Sequence, residues 1–171
     1  MRAVAMILPL AGCLTITSQE DADRQRVASL VGPYAGDWSL TLSLTARKEA
    51  TCSGDAGGTV DGTVWGDPLT LASTFSCTTD GLIALGANAE IALDASFDGA
   101  IDLSDTAAAP ALSGEMQLSY QDFVGNPEWS GNIDEGDFPV INGQFSGIAQ
   151  VAVIGAVTFS GDFTLTHAAA D

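Results

Sequence analysis

Ala156-Val157-Thr158-Phe159-Ser160-Gly161-Asp162-Phe163-Thr164-Leu165-Thr166 alternates apolar and polar residues with a period of two. Val157, Phe159, Phe163 and Leu165 fall on one side of an extended chain, and Thr158, Ser160, Asp162, Thr164 and Thr166 on the other. A helix would scatter both sets around its circumference. The stretch therefore reads as a β-strand with one dry and one wet face.

The same pattern recurs upstream. Trp38, Leu40, Leu42 and Leu44 alternate with Asp37, Ser39, Thr41 and Ser43. Ile91, Leu93, Ala95, Phe97, Ile101 and Leu103 alternate with Glu90, Asp94, Ser96, Asp98 and Asp102. Leu112, Met116, Leu118 and Tyr120 form a third such set, and Phe145, Ala149, Val151 and Val153 a fourth. Weaker strands are expected around Thr59–Trp65, Leu69–Cys77 and Leu82–Gly86. Turn chemistry falls between the runs: Gly57-Gly58, Gly66-Asp67-Pro68, Asp80-Gly81, Asp105 to Pro110 and Ile154-Gly155-Ala156. The gaps are too short for crossover helices, so the runs predict an all-β chain: one antiparallel meander of about eight strands. An up-and-down β-barrel is favoured over a β-sandwich, because closure removes exposed strand edges. Gly99, Gly114, Gly147 and Gly161 stand at dry-face positions, where glycine admits a sharp bend or the close approach of an aromatic ring.

With 171 residues the chain fits one domain of ordinary size. Its 22 acidic and 5 basic residues give a net charge of -17, and no Lys or Arg follows Lys48. Nucleic-acid binding needs a basic patch, and so do an Arg clamp on an anion and a polybasic membrane contact; all three are excluded. Catalysis also lacks a framework. His167 and Lys48 are the only His or Lys residues, and neither stands near a recognisable nucleophile motif. The expectation is no enzyme.

Ahead of the strands, Arg2 precedes the short apolar run Ala3 to Leu10, and Leu10-Ala11-Gly12-Cys13 follows. The run is too short to span a bilayer and suits a cleaved signal. This segment resembles the signal peptide and lipobox of bacterial lipoproteins. The resemblance implies cleavage after residues 1–12 and acylation of Cys13, with 13–33 as a lipidated tether and 34–171 as the barrel. It implies a cell-envelope address and a membrane partner reached through the anchor. Leu14 after the cysteine, in place of an aspartate, favours the outer membrane. Three cysteines suit that pattern: Cys13 acylated, leaving Cys52 to pair with Cys77 in an oxidising compartment. Within the tether, Ser18 and Asp21 have capping-box spacing, and Val27, Leu30 and Val31 would give one apolar face to a short helix ending near Gly32-Pro33.

Gly36-Asp37-Trp38 resembles the Gly-x-Trp start of lipocalin-like barrels, although the last strand lacks the arginine which that family packs on its tryptophan. The resemblance implies an alternative role, carriage of a small apolar ligand in a cavity lined by Trp38, Phe97 and Phe145. The longest stretch without alternation is Gln121 to Pro139. Read as a loop, it offers Phe123, Trp129 and Phe138 as a ligand or partner surface. Asn132-Ile133-Asp134-Glu135-Gly136-Asp137 has the oxygen content of a calcium loop without EF-hand order, with Asn132, Asp134 and Asp137 as ligands. No other cofactor is expected. The leading expectation is a membrane-anchored exported lipoprotein with a non-catalytic binding or structural role. The further alternative is a carbohydrate-acting enzyme with a carboxylate pair.

Overall fold

The computed structural model describes residues 13–45, 48–62, 69–79, 91–103, 109–120, 123–151 and 155–168. Residues 1–12 of the expected signal peptide, the strand expected at 82–86, the turns expected at 66–68 and 80–81, residues 105–108 of the turn expected at 105–110 and residue 154 of that expected at 154–156 lie outside them. Helix α1 (Cys13–Leu30) precedes nine strands: β1 (Gly32–Thr45), β2 (Lys48–Asp61), β3 (Leu69–Thr79), β4 (Ile91–Asp102), β5 (Ala111–Tyr120), β6 (Phe123–Gly125), β7 (Glu128–Asp134), β8 (Val140–Val151) and β9 (Gly155–His167).

Every pairing is antiparallel. The meander closes where β1 meets β9, from Tyr34↔His167 to Ser43↔Thr158. Strands β6 and β7 are two pieces of one barrel strand, because both pair with β5 in the same register, Leu118↔Gly125 and Glu115↔Glu128. The break between them is Pro127. Its carbonyl accepts the Met116 N–H at 2.9 Å, but proline has no N–H to return the bond. The result is an eight-stranded closed barrel, as the alternation predicts.

The stretch read as a long loop is thus mostly barrel wall. Its alternation is hidden because Gly131 takes an inward position between Trp129 and Ile133, and because Pro127 interrupts the ladder. Gly57-Gly58, read as a turn, lies inside β2. The inward residues of that strand are Ala50, Cys52, Gly54, Ala56, Gly58 and Val60, too small to advertise a strand. Opposite them stand large rings.

Those rings fill one level of the barrel interior. Trp38, Phe75, Phe97, Trp129, Phe145 and Phe163 come from six different strands and are at most 4% exposed. Phe97 lies 4.6 Å from Phe163 and 4.7 Å from Phe75 between ring centroids, and Trp38 stacks on Phe75 at 5.0 Å. Trp129 meets Phe97 edge-on at 5.0 Å. Both indoles satisfy their N–H on a backbone carbonyl: Trp38 Nε1 donates to Ser76 O at 3.3 Å, and Trp129 Nε1 to Asp98 O at 3.1 Å. Burying an indole without such a partner would cost free energy.

Glycines make room for the rings. Along β8 the inward residues run Gly143, Phe145, Gly147; opposite them β9 runs Phe163, Gly161, Phe159, so each ring faces a glycine. A Cβ at Gly143 would sit 2.0 Å from Phe163 Cζ, and one at Gly161 would sit 2.3 Å from both Phe145 Cζ and the Ser39 carbonyl oxygen. A slip of two residues would set ring on ring and glycine on glycine, so this complementarity fixes the register. Gly99 and Gly114, direct partners on β4 and β5, lie under the Trp129 indole in the same way.

The β2–β3 ladder runs from Asp61↔Thr70 to Ala56↔Phe75. Beyond it the strands are joined by the Cys52–Cys77 disulfide, with Cα atoms 5.8 Å apart and a sequence separation of 25. Closing a loop of that length stabilises the fold by about 3 kcal/mol in the chain-entropy model.

Helix α1 begins at Cys13, five residues before the expected cap at Ser18, and its last turn meets the barrel. Residues 21–25 are exposed, whereas Leu30 is fully buried and Val27 and Val31 pack on the core. Leu30 O accepts the Tyr34 hydroxyl at 2.9 Å. Arg26 grips Glu135 of the β7–β8 turn with two bonds of 2.7 and 2.9 Å. The chain turns into β1 at Gly32, whose φ of 143° suits glycine; a Cβ there would also strike His167 Nε2 at 2.6 Å. His167, rather than trailing from the C-terminus, closes β9 against Tyr34, with ring centroids 4.9 Å apart.

Candidate functional site

The residues singled out from the sequence separate into core and surface. Trp129 is 2% exposed; it belongs to the barrel interior and offers no ligand surface. Its strand carries it inward because the polar neighbours Glu128 and Ser130 take the outer positions. Phe123 opens β6 opposite Tyr120, and its side chain lies outside the described part of the structure. Phe138 is 60% exposed, in the bend that also carries Glu135 and Asp137. Trp129 and Phe138 therefore form no shared aromatic surface. Asn132 lies on the outer face of β7, Asp134 ends that strand and Asp137 stands in the bend, all three exposed. Among the described residues, no three His, Cys, Asp or Glu side chains gather closely enough to hold a metal ion. The cavity that a lipocalin-like carrier needs, lined by Trp38, Phe97 and Phe145, is occupied at that level by these rings themselves.

The outer wall is polar and acidic. Asp37 stands directly opposite Asp55, and Asp98, Glu115 and Glu128 form a row across β4, β5 and β7. A wall of this kind cannot face hydrocarbon, where outward positions must be apolar. No helix among the described residues is long and apolar enough to cross a membrane.

Among the described residues, a concavity interrupts this wall, an open groove of about 440 Å³ over β7, β8 and β9. Its floor is the backbone of Gly131 and Gly143, which are direct partners. Neither has a side chain to prop the sheet away from the core, so the wall lies close over the Phe163 ring. Ser130, Asn132, Asn142, Gln144 and Asp162 stand around the dent. They form two rows, Ser130–Gln144–Asp162 and Asn132–Asn142–Thr164, set by the β-ladder. Asn142 Oδ1 accepts from Thr164 Oγ1 at 3.1 Å, and Asp162 Oδ1 from Ser39 Oγ at 2.8 Å. These two side chains are oriented by neighbours, and among the described residues their remaining donors and acceptors have no partner. Reading the sequence singled out only Asn132 of this set. The signal that marks the others is the pair of inward glycines, Gly131 and Gly143, which becomes visible only once the register is known.

No protein-family model matches the chain, and no curated protein matches it either.

Proposed function

We propose that the chain is an exported lipoprotein, held at the outer membrane through an acylated Cys13, with a non-catalytic binding or structural role. The observation that carries this reading is the relation of Cys13 to α1. The cysteine is the first residue of an 18-residue helix whose last turn packs on the barrel. At 1.5 Å per residue such a helix is a stalk of about 27 Å between acyl chains and barrel. The bidentate Arg26–Glu135 pair and the buried Leu30 make the barrel end of the stalk a fixed joint. The disulfide fits an oxidising compartment, and the acidic outer wall fits a body that is tethered rather than inserted. Against the carbohydrate-acting alternative, the groove is lined by a single carboxylate, Asp162, where a retaining glycosidase uses two.

Metabolic labelling with a fatty acid in a bacterial host tests the reading. The native chain should take up label, lose its first 12 residues and partition into detergent. Cys13→Ser should do none of these. An unlabelled native chain that keeps Met1 overturns the anchor.

A further inference from the structure

We propose that the groove over β7, β8 and β9 binds an uncharged, hydroxyl-rich chain, a neutral oligosaccharide. The proposal rests on the binding half of the reading above and is independent of the anchor. Four properties of the groove select this chemistry.

Its rim is built from amides, one hydroxyl and one carboxylate. Among the described residues, the Asn132 and Gln144 side chains have no hydrogen-bond partner, and Asn142 keeps its NH₂ while its oxygen is held by Thr164. Asp162 keeps one oxygen. Donors and acceptors thus alternate over a small area, which is what pairs of ring hydroxyls need. Neighbouring strands repeat at about 4.8 Å, close to the advance of one sugar ring along a glycan.

Charge excludes the commonest polar alternative. The groove has no Lys or Arg in its lining, and the chain carries -17 overall, so phosphate- or carboxylate-bearing ligands would be repelled. Shape and polarity exclude two others. The floor is glycine backbone and the rim is polar, so the lining has no large apolar side chain for a lipid or a hydrophobic peptide. The barrel is closed, so the strands beside the groove have no free edge on which a peptide could add by backbone pairing. Finally, the groove is open to solvent rather than enclosed, which suits one face of a chain better than a small molecule needing enclosure. Without an aromatic platform in the lining, affinity depends on hydrogen bonds and should be weak, on the order of millimolar.

The test uses the full chain with Cys13→Ser, so that acylation plays no part, and follows the side-chain NH₂ signals of Asn132, Asn142 and Gln144 by NMR. The probes are maltotriose, cellotriose and triacetylchitotriose, with trigalacturonate as the anionic control. The expected result is a saturable shift of these three signals with at least one neutral trisaccharide and none with trigalacturonate. Asn142→Ala with Gln144→Ala should weaken binding about tenfold or more while the backbone spectrum stays that of the folded barrel. If no neutral probe gives a saturable shift at tens of millimolar, the proposal fails. It fails equally if trigalacturonate binds as well, or if the double variant binds like the native chain. A failed groove alongside an acylated Cys13 would leave the anchor standing, and the reverse result would leave the groove.

Discussion

The two faces of the barrel wall are built by different rules. On the inner face, shape is specified residue by residue: six rings share one layer, and glycines stand where a ring must touch backbone. On the outer face, Ser, Thr, Asp and Glu follow one another with little regard for their neighbours, to the point that Asp37 opposes Asp55 and Glu115 lies between Asp98 and Glu128. The inner face therefore carries the instruction to fold, and the outer face is free to carry charge and a groove. Substitutions on the two faces should differ in size and in physical origin, and each of the following would break the contrast or sharpen it.

The largest effect is expected at Gly143. An alanine Cβ there would lie 2.0 Å from Phe163 Cζ, and Phe163 cannot retreat, because Phe97, Trp129 and Phe75 lie 4.6, 5.5 and 5.6 Å from it. Overpacking of this kind costs about 3 kcal/mol. Adding Phe163→Leu to Gly143→Ala should return more than about 1 kcal/mol of that loss, because the two positions share one space. Ser146→Ala, on the outer face of the same strand, should change stability by less than about 0.5 kcal/mol. Denaturant unfolding of the four proteins checks all three statements. Equal costs at Gly143 and Ser146 would abolish the distinction between faces.

A smaller inner-face effect is tied to pH. Tyr34 is 2% exposed and gives its hydroxyl proton to Leu30 O at 2.9 Å; burial pushes its pKa up to about 12. In the unfolded chain the phenol ionises near pH 10. Below that value both states are protonated and the contribution to stability is whole. As pH rises from about 10 to 12 the unfolded state sheds its proton first, and stability falls by roughly 2 kcal/mol. Tyr34→Phe should lose about 1 kcal/mol at pH 9 through the missing hydrogen bond, and should flatten the decline above pH 10. A decline as steep as that of the native chain would place its origin elsewhere.

The same contrast explains what could be read from the sequence. The barrel was legible because β1, β4, β5, β8 and β9 fill their inward positions with Leu, Phe, Ile and Trp, so the period of two survives in the letters. Strand β2 was only half legible, since its inward Ala, Cys and Gly have no hydrophobic contrast with Ser53 and Asp55, and Gly57-Gly58 imitates a turn. Strand β7 was not legible, because Pro127 and Gly131 remove two of the features that mark a strand. Trp129 was misread for the same reason: once the strand was taken for a loop, a tryptophan among acids looked exposed. The disulfide followed from the cysteine count taken with the resemblance of residues 10–13 to a lipobox. The groove was beyond reach, because it depends on which residues of β7, β8 and β9 stand side by side.

The smallest expected effect lies on the outer face, at the centre of its longest carboxylate row. Glu115 is the direct neighbour of Asp98 on one side and Glu128 on the other, and like charges directly opposed in a sheet are mildly destabilising. Glu115→Gln removes both repulsions without changing shape. It should raise Tm by about 1 °C at 0.1 M salt. The rise should shrink at 1 M, where the screening length falls from about 10 Å to about 3 Å. The sign is the informative part. An inner-face position tolerates no change that alters shape, whereas this outer-face position is expected to improve when altered, because nothing in the fold depends on its charge. A loss of stability on Glu115→Gln, persisting at high salt, would mean that the acidic row is held together by something other than solvent, and that the outer wall is as specified as the inner one.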